Sequence, residues 1–541
     1  MQKIYKLTPL LLSLLLVSCN GTSTSNPTTE NEPSTSAPTS ISFDEEFTPE
    51  NNIDSSLNYQ IFVRSFSDSN GDGIGDLNGI KNKIPYLKKI GVKSIWLTPI
   101  HKTSSDHGYD VQDYYSIAKD LGTMEDFESL VEELDKNNMN IIMDMVFNHA
   151  SSATSYFREA YADFDAEMSG EIISDSKSDW FNFSIEPQLN YIKYKDYYVE
   201  SSFNTSSMMD LNLLNEDVIE ECGNILNFWA AKGVKGYRFD AVKYFVGQGV
   251  RQETIEICNK LKEFQPDLYY VGEAWDEDPY YFNKYYESKF DAFFNFPMCA
   301  QTSKSSNIFG NTVNGNATNI YSAVMSSLEA TRAQNSNAVP ANFLTNHDMD
   351  RVSSLTSKNE VLKLVASVNY LLPGTPFIYY GEELGMKGVR IATDTDADRR
   401  MPMLFEDGTK CKELRGTKFT DQIEEGVETQ LKDHESVLAH YMRVSSLRNK
   451  MGEMVKMANF EVYNPNWRFK YPSLCAYNLV KGEQSYTVLT NLNANSDYEL
   501  ELISDYKSVV GYVNAKDSKI NYNLNEKNLV LPSYSTIILE N

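Results

Sequence analysis

The run Gly236-Tyr237-Arg238-Phe239-Asp240-Ala241-Val242 reads as a buried strand that ends on an acid. Residues two apart on a strand share a face, so Arg238 and Asp240 point the same way, and the guanidinium is expected to hold Asp240 ionised. Two further apolar runs close similarly, Val271-Gly272-Glu273-Ala274-Trp275 and Thr345-Asn346-His347-Asp348. Glu273 has no cation beside it in sequence, and proximity to two other carboxylates would keep it protonated near neutrality by like-charge repulsion. An ionised carboxylate that attacks a sugar carbon, and a protonated one that supplies the departing oxygen, are the two requirements of glycosidic cleavage with retention. One acid at a strand end is usually a helix cap or an ion-pair partner; three together carry the reading.

Outward from these runs, apolar β-rich segments recur at 59–63, 94–100, 140–146, 236–242, 268–274, 291–297, 342–347 and 376–380. Helical patterns at 124–136, 217–232 and 360–372 separate several of them, and such alternation predicts an α/β fold, a (β/α)8 TIM barrel, over 51–147 and 213–450. In that fold chemistry sits at the C-terminal ends of strands, where Asp240, Glu273 and Asp348 fall on strands four, five and seven. Residues 148–212 are too many for a βα loop and predict a small inserted domain after strand 3, forming one wall of the cleft. Beyond the helical segment 435–450, residues 451–541 carry short β-like runs at 485–490 and 528–532 and predict a C-terminal β-sandwich.

The 541 residues are 41% hydrophobic, enough for two or three domains with cores of their own. A formal charge of −26 argues against nucleic acid and anionic membrane surfaces as partners and is compatible with a neutral carbohydrate. The N-terminus has a basic start, an apolar run from Leu7 to Val17, and Leu16-Val17-Ser18-Cys19, which is similar to a bacterial lipobox. The expectation is a signal peptide over 1–18, lipid attachment at Cys19, a Ser/Thr/Pro-rich tether over 19–50, and a cell-surface protein anchored to a bacterial membrane. The other cysteines, Cys222, Cys258, Cys299, Cys411 and Cys475, are odd in number and lack metal-ligand spacing, so buried free thiols are expected.

Asp68-Ser69-Asn70-Gly71-Asp72-Gly73-Ile74-Gly75-Asp76 places oxygen donors at alternate positions around a glycine turn, like the first three-quarters of an EF-hand loop. Asp68, Asn70, Asp72, Ile74 and Asp76 are the expected Ca2+ donors. Gly79 stands where the bidentate glutamate would be, so a structural ion is expected rather than a helix-opening switch.

From about Asn58 onward the chain resembles glycoside hydrolase family 13, the α-amylase family. Asp144-Met145-Val146-Phe147-Asn148-His149 resembles its third-strand motif, and 236–244, 271–275 and 343–348 resemble its fourth-, fifth- and seventh-strand motifs. The resemblance implies Asp240 as nucleophile, Glu273 as general acid/base and Asp348 as the acid gripping sugar hydroxyls. His149 and His347 would bind the same sugar, and Tyr109, in His107-Gly108-Tyr109-Asp110, would stack on its ring. Ala241 and Lys243 resemble the segment of endo-acting α-1,4 enzymes, in which the lysine meets the leaving-side sugar. Tyr379 to Met386 and Arg400-Met401-Pro402-Met403 resemble oligoglucosidase segments, with Arg400 as a substrate residue. The expected substrates are starch and maltooligosaccharides, with neopullulanase or oligo-α-glucosidase activity as the enzymatic rival. Surface glycan-binding proteins would be the partners. An inactive starch-binding protein or a transporter accessory subunit is the non-enzymatic alternative, and both usually lose a catalytic acid. A second ion, needing Asn148, Asp210 and a carbonyl near Tyr244, is left unassigned because Tyr244 replaces the family's usual histidine.

Overall fold

The computed structural model describes Ile53 and residues 56–541, apart from positions 337, 394 and 517. The expected signal segment 1–18, Cys19 and the tether 19–50 lie outside the described residues. Among the described residues no helix is long and apolar enough to cross a membrane.

Eight strands build the barrel: β1 (Leu57–Ile61), β2 (Val92–Leu97), β3 (Asn140–Met145), β4 (Gly236–Phe239), β5 (Tyr269–Gly272), β6 (Ala292–Phe293), β7 (Ala341–Phe343) and β8 (Thr375–Tyr379). They pair in parallel in the order β6-β5-β4-β3-β2-β1-β8-β7, and a single parallel bridge from Phe294 to Ala341 joins β6 to β7 and closes the ring. Side chains alternate across each strand. Trp96, Ile142, Val271, Phe294, Phe343 and Phe377 form one cluster inside the ring. Ile95, Met143, Tyr237, Phe239, Tyr270 and Ile378, one position out of phase, face the helices in the larger core. A methyl group on Gly272 would lie 2.3 Å from the Phe293 ring, so glycine is what lets β5 and β6 approach.

The helices between strands begin where their sequences supply caps. Met124–Lys136 opens with Thr123 and Asp126 in a reciprocal capping box, and Glu216–Ala231 opens on Asn215, whose side chain accepts from the Asp217 and Val218 amides. Between β3 and β4 the chain forms the helix Ser155–Met168 and a three-stranded antiparallel sheet of Phe183–Ser184, Tyr197–Glu200 and Tyr191–Tyr194. The C-terminal region has an antiparallel five-stranded sheet and a three-stranded one. Leu474, Leu489, Leu500, Leu529, Leu531 and Ile537 from both sheets pack together, as a sandwich requires. The module is bolted to the barrel by the Tyr321 hydroxyl on the Leu474 carbonyl (2.9 Å) and the Tyr477 hydroxyl on the Leu371 carbonyl (2.9 Å). The five described cysteines are buried free thiols.

Candidate active site

Asp240 and Glu273 each stand one residue beyond the end of their strand, while Asp348 stands five beyond β7. All three open into one cavity of about 790 Å³ at the C-terminal mouth of the barrel, with Tyr109, His149, Lys243 and Arg400 also in its wall. Phe203 and Met208 of the segment between β3 and β4 line the same cavity.

Strand register explains how the acids meet. Arg238 on β4 lies directly beside Asp144 on β3 and Val271 on β5, all facing inward. Its guanidinium reaches Asp144 (Nη1 to Oδ1, 2.8 Å), Asp240 (Nη1 to Oδ1, 2.7 Å) and Glu273 (Nη2 to Oε1, 3.1 Å). Glu273 has no cation beside it along the chain, but in the fold the guanidinium that Asp240 uses also reaches it across the strands. Glu273 is two residues past the neighbour of Arg238 on β5, and the parallel register delivers it to the other end of the same planar fork. Glu273 Oε2 also accepts from the Ala241 amide (3.1 Å), which faces it because Ala241 takes a left-handed backbone conformation, φ 51°.

Four carboxyls, of Asp144, Asp240, Glu273 and Asp348, thus face two guanidiniums, of Arg238 and Arg400; full ionisation would bury two uncompensated negative charges. Burial pushes both Asp240 and Glu273 up to about 7, against the pull of Arg238. Neighbouring carboxylates add to the rise: Asp144 and Asp348 for Asp240, Asp240 and Asp348 for Glu273. The expectation that Arg238 keeps Asp240 at an ordinary low value is corrected, because one guanidinium divided among three buried acids cannot offset their desolvation. Asp144 is raised to about 6, again by burial against Arg238, and also accepts from the Trp96 indole and the Tyr109 hydroxyl (both 3.1 Å).

Asp348 goes the other way. Burial alone would raise it, but His347 and then Arg400 outweigh burial and hold it down at about 2. His347 is itself lowered to about 3 by burial, so at neutral pH it acts as a neutral hydrogen-bond donor rather than a cation. Gln60 Nε2 lies 2.7 Å from His347 Nδ1, which makes Nδ1 the acceptor and puts the ring proton on Nε2, where the Tyr109 hydroxyl oxygen accepts it at 2.7 Å, with Asp348 Oδ2 alongside at 3.1 Å. Arg400 Nη2 donates to Asp348 Oδ1 (2.6 Å), and Arg399 Nη1 donates to the Asp348 carbonyl (2.6 Å).

Tyr109 stacks on His347 at 5.4 Å between ring centroids and is only 8% exposed. His149, lowered to about 4 by burial, binds the Tyr109 carbonyl through Nε2 (3.0 Å). Lys243 donates to the Trp275 carbonyl (2.8 Å), so it borders the cavity beside the half-exposed Trp275 ring, itself stacked on Phe296 at 4.9 Å. Asp144, Trp275, Gln301 and Arg399 were given no individual role by sequence reasoning. Asp144 carried a signal, an acid inside the apolar run Ile141 to Val146, since a buried charge needs a partner.

Asp68, Asn70, Asp72, Ile74 and Asp76 lie together in the loop after β1, away from this cavity. Asp68 Oδ1 accepts from the Asn70 amide (3.1 Å), Asn70 Oδ1 from the Asp72 amide (2.9 Å), and Asp72 Oδ1 from the Ile74 amide (2.7 Å). Asp76 caps the helix Leu77–Asn82 through the Gly79 amide. The donors are oxygen only, which suits a hard cation. Among the described residues no three Asp, Glu, His or Cys side chains form a ready metal cage, so a shell here needs Asn70 and a backbone carbonyl as well. At the pair Asn148 and Asp210, the Asn148 amide lies 3.5 Å from Asp210 Oδ1.

Raised acids keep their protons to higher pH, so the rate on unactivated glucan should fall as pH rises through about 7, where Glu273 loses its proton. A kcat/KM profile measures this. The limb should vanish in Glu273→Gln acting on an aryl glycoside whose leaving group needs no proton, and a parent profile flat well above neutrality would contradict the assignment.

A closed parallel barrel with three buried carboxyls on one guanidinium, two of them opening into a cleft with aromatic walls, defines a glycosidase of the barrel class. Residues 60–457 match the catalytic domain of alpha amylase, and the chain belongs to the alpha-amylase family. It is 33% identical over 501 residues to "Alpha-amylase 3" of Dictyoglomus thermophilum, covering 89% of this chain and 92% of that one. It is 28% identical over 479 residues to a 4-alpha-glucanotransferase of Thermotoga neapolitana, covering 84% of this chain and all of that one. The solved structure "Eubacterium rectale Amy13B" superposes with a TM-score of 0.82 at 28% identity, covering 91% of this chain and 96% of that one.

Proposed function

We propose that the protein is a retaining, endo-acting α-1,4-glucan hydrolase that cleaves starch and maltooligosaccharides. The observation that carries this reading is the Arg238 fork, which holds Asp240 and Glu273 together at the edge of one cavity. Asp240 attacks the anomeric carbon and the glycosidic C–O bond breaks as Glu273 protonates the departing oxygen. Water, deprotonated by Glu273, then releases the sugar with its original configuration. Asp348, ionised and clamped by His347 and Arg400, accepts from hydroxyls of the same ring. Tyr109 shields the positive charge that develops there.

Endo action is supported by a cavity larger than one sugar ring needs and by Trp275 and Lys243 beside Glu273, on the side where a leaving chain would lie. Chromatography of products from amylose, pullulan, panose and cyclodextrin tests it. Internal cleavage should yield a spread of maltooligosaccharides from amylose early in the reaction, whereas glucose alone, released from chain ends, would refute it. Panose cleavage would favour the oligo-α-glucosidase reading, and larger sugars in place of hydrolysis products would favour a transferase, the activity in the name of the Thermotoga relative.

The reading includes a Ca2+ ion in the loop 68–76, supported by its all-oxygen donor set, Asp68, Asn70, Asp72 and Asp76. The ion would tie the first βα loop to the barrel. Calcium at about a hundred times its Kd should add about 2.7 kcal/mol to the stability of the full chain. Urea unfolding in calcium and in chelator measures this, with Asp72→Ala abolishing the difference; identical curves for the parent in both conditions would remove the ion from the account.

A further inference from the structure

The turn Glu382–Leu384, which follows β8, carries two adjacent carboxyls into the core: Glu382 is 3% exposed and Glu383 not at all. Left-handed glycines at either end, Gly381 (φ 81°) and Gly385 (φ 76°), fold the chain sharply enough to bury both. Four tyrosines from four elements meet them. Tyr370 of the helix Asn359–Leu371 and Tyr441 of the helix Val437–Met451 (3.0 Å) donate to Glu382 Oε1. Tyr59 of β1 and Tyr86 of the helix Ile84–Lys89 donate to Glu383 Oε1, both at 2.6 Å. The second oxygen of each carboxyl is buried and has no hydrogen-bond partner among the described residues.

Positive charge is what this cluster lacks. Arg351 is the cation that acts on both acids, and its guanidinium is engaged elsewhere: Nη1 donates to the Tyr380 carbonyl (2.6 Å), Nε donates to the Arg399 carbonyl (3.1 Å), and its plane lies over the Tyr379 and Tyr380 rings. Glu428 adds a further negative charge acting on Tyr86. Burial lifts the four tyrosines well above their ordinary range, so they stay neutral and serve as donors alone. A buried carboxyl without a paired cation takes up a proton rather than stand ionised, and two side by side cannot both be ionised here. Burial raises both acids; for Glu383 its two short tyrosine bonds oppose the rise, whereas Glu382 is pushed up to about 8 against the bonds from Tyr370 and Tyr441. Glu382 is therefore the acid that holds the proton.

We propose that Glu382 is a proton latch: while protonated it lets β8, β1 and three helices close around this turn, and its ionisation in mild alkali loosens that corner of the barrel. Neither acid, and none of the four tyrosines, lines the active cavity, so the latch governs the stability of the fold and leaves the proton transfers of catalysis alone. The folded value of Glu382 lies above that of an unfolded glutamate, so its contribution is fully present below the ordinary glutamate range and is lost as pH rises to about 8.

Urea unfolding of the full chain across a pH series, for the parent and Glu382→Gln, tests the proposal. Unfolding releases one proton from Glu382 in the parent and none from the glutamine. The ratio of the parent's unfolding constant to the variant's should therefore rise about tenfold per pH unit from roughly pH 5 towards 8 and level off above. Difference infrared spectra of parent against Glu382→Gln should show the carbonyl band of a protonated carboxylic acid at neutral pH, fading with a midpoint near 8. Glu382→Gln should keep the parent's kcat in weak acid. Tyr441→Phe provides an independent variant should the glutamine fail to fold: it removes a donor that favours the ionised form, so the band should persist to higher pH than in the parent. A ratio of unfolding constants that does not change with pH, a neutral-pH spectrum without that band, or a midpoint unmoved by Tyr441→Phe would overturn the latch.

Discussion

Replacing Asp240 with Asn is expected to lower kcat on amylose by about 10⁴-fold or more while the protein stays folded. The amide keeps the shape of the carboxyl but cannot form the bond to the sugar carbon. Stability should hold or rise, because the change removes one of four acids that two guanidiniums must compensate. A sharper form of the test uses Asp240→Ala with added azide. The anion can enter the vacated space, form a C–N bond to the anomeric carbon as the glycosidic C–O bond breaks, and leave a glycosyl azide of inverted configuration. Proton NMR distinguishes that product from the retained sugar released by the parent. Turnover of Asp240→Asn within about tenfold of the parent would place the nucleophile elsewhere.

The second large effect belongs to Arg238. Arg238→Leu leaves Asp144, Asp240 and Glu273 facing one another in a buried site, and breaking a buried ion pair on one side costs about 3–5 kcal/mol. The sign of its pH dependence follows from the raised acids. A carboxyl whose folded value lies above its unfolded one stabilises the fold fully below the unfolded value and loses that contribution as pH rises through the folded value. In the parent this window runs from the ordinary carboxylate range up to about 7 for Asp240 and Glu273. Without the guanidinium the folded values rise further, so Arg238→Leu should be closest to the parent in acid and most destabilised at and above neutrality. Urea unfolding at acidic and neutral pH reads this directly. Arg238→Lys should fall between the two, since a single ammonium cannot span three carboxylates as a planar fork does. Equal stability of parent and Arg238→Leu at neutral pH would show that the three contacts contribute nothing.

These two residues also mark where sequence reading succeeds and where it stops. The eight strands are legible because each is a nearly continuous apolar run buried on both faces, and each observed strand overlaps its expected segment. The helix Met124–Lys136 is legible to the residue because its cap and its apolar spacing agree. The positions of Asp240 and Glu273 at strand ends follow from the same runs. Their electrostatics do not, because they depend on lateral register: which residue of β5 stands beside Arg238 is a property of two strands 33 residues apart at Arg238 and Val271, and nothing local encodes it. The partner of Asp144 is hidden for the same reason, since Arg238 lies 94 residues away. The tie between Glu273 and the Ala241 amide was hidden because it needs a left-handed alanine, which no residue preference signals.

The closure of the barrel has a mechanical corollary. Seven of the eight seams around the ring are laced by paired strands, but the one between β6 and β7 is held by the lone bridge at Phe294 and Ala341 with the adjoining Asn295 amide on the Ala341 carbonyl at 2.9 Å. With the fewest backbone hydrogen bonds to break, that thin stitch is where the cylinder is expected to open first, a local opening that amide hydrogen exchange at Phe294 and Asn295 would read.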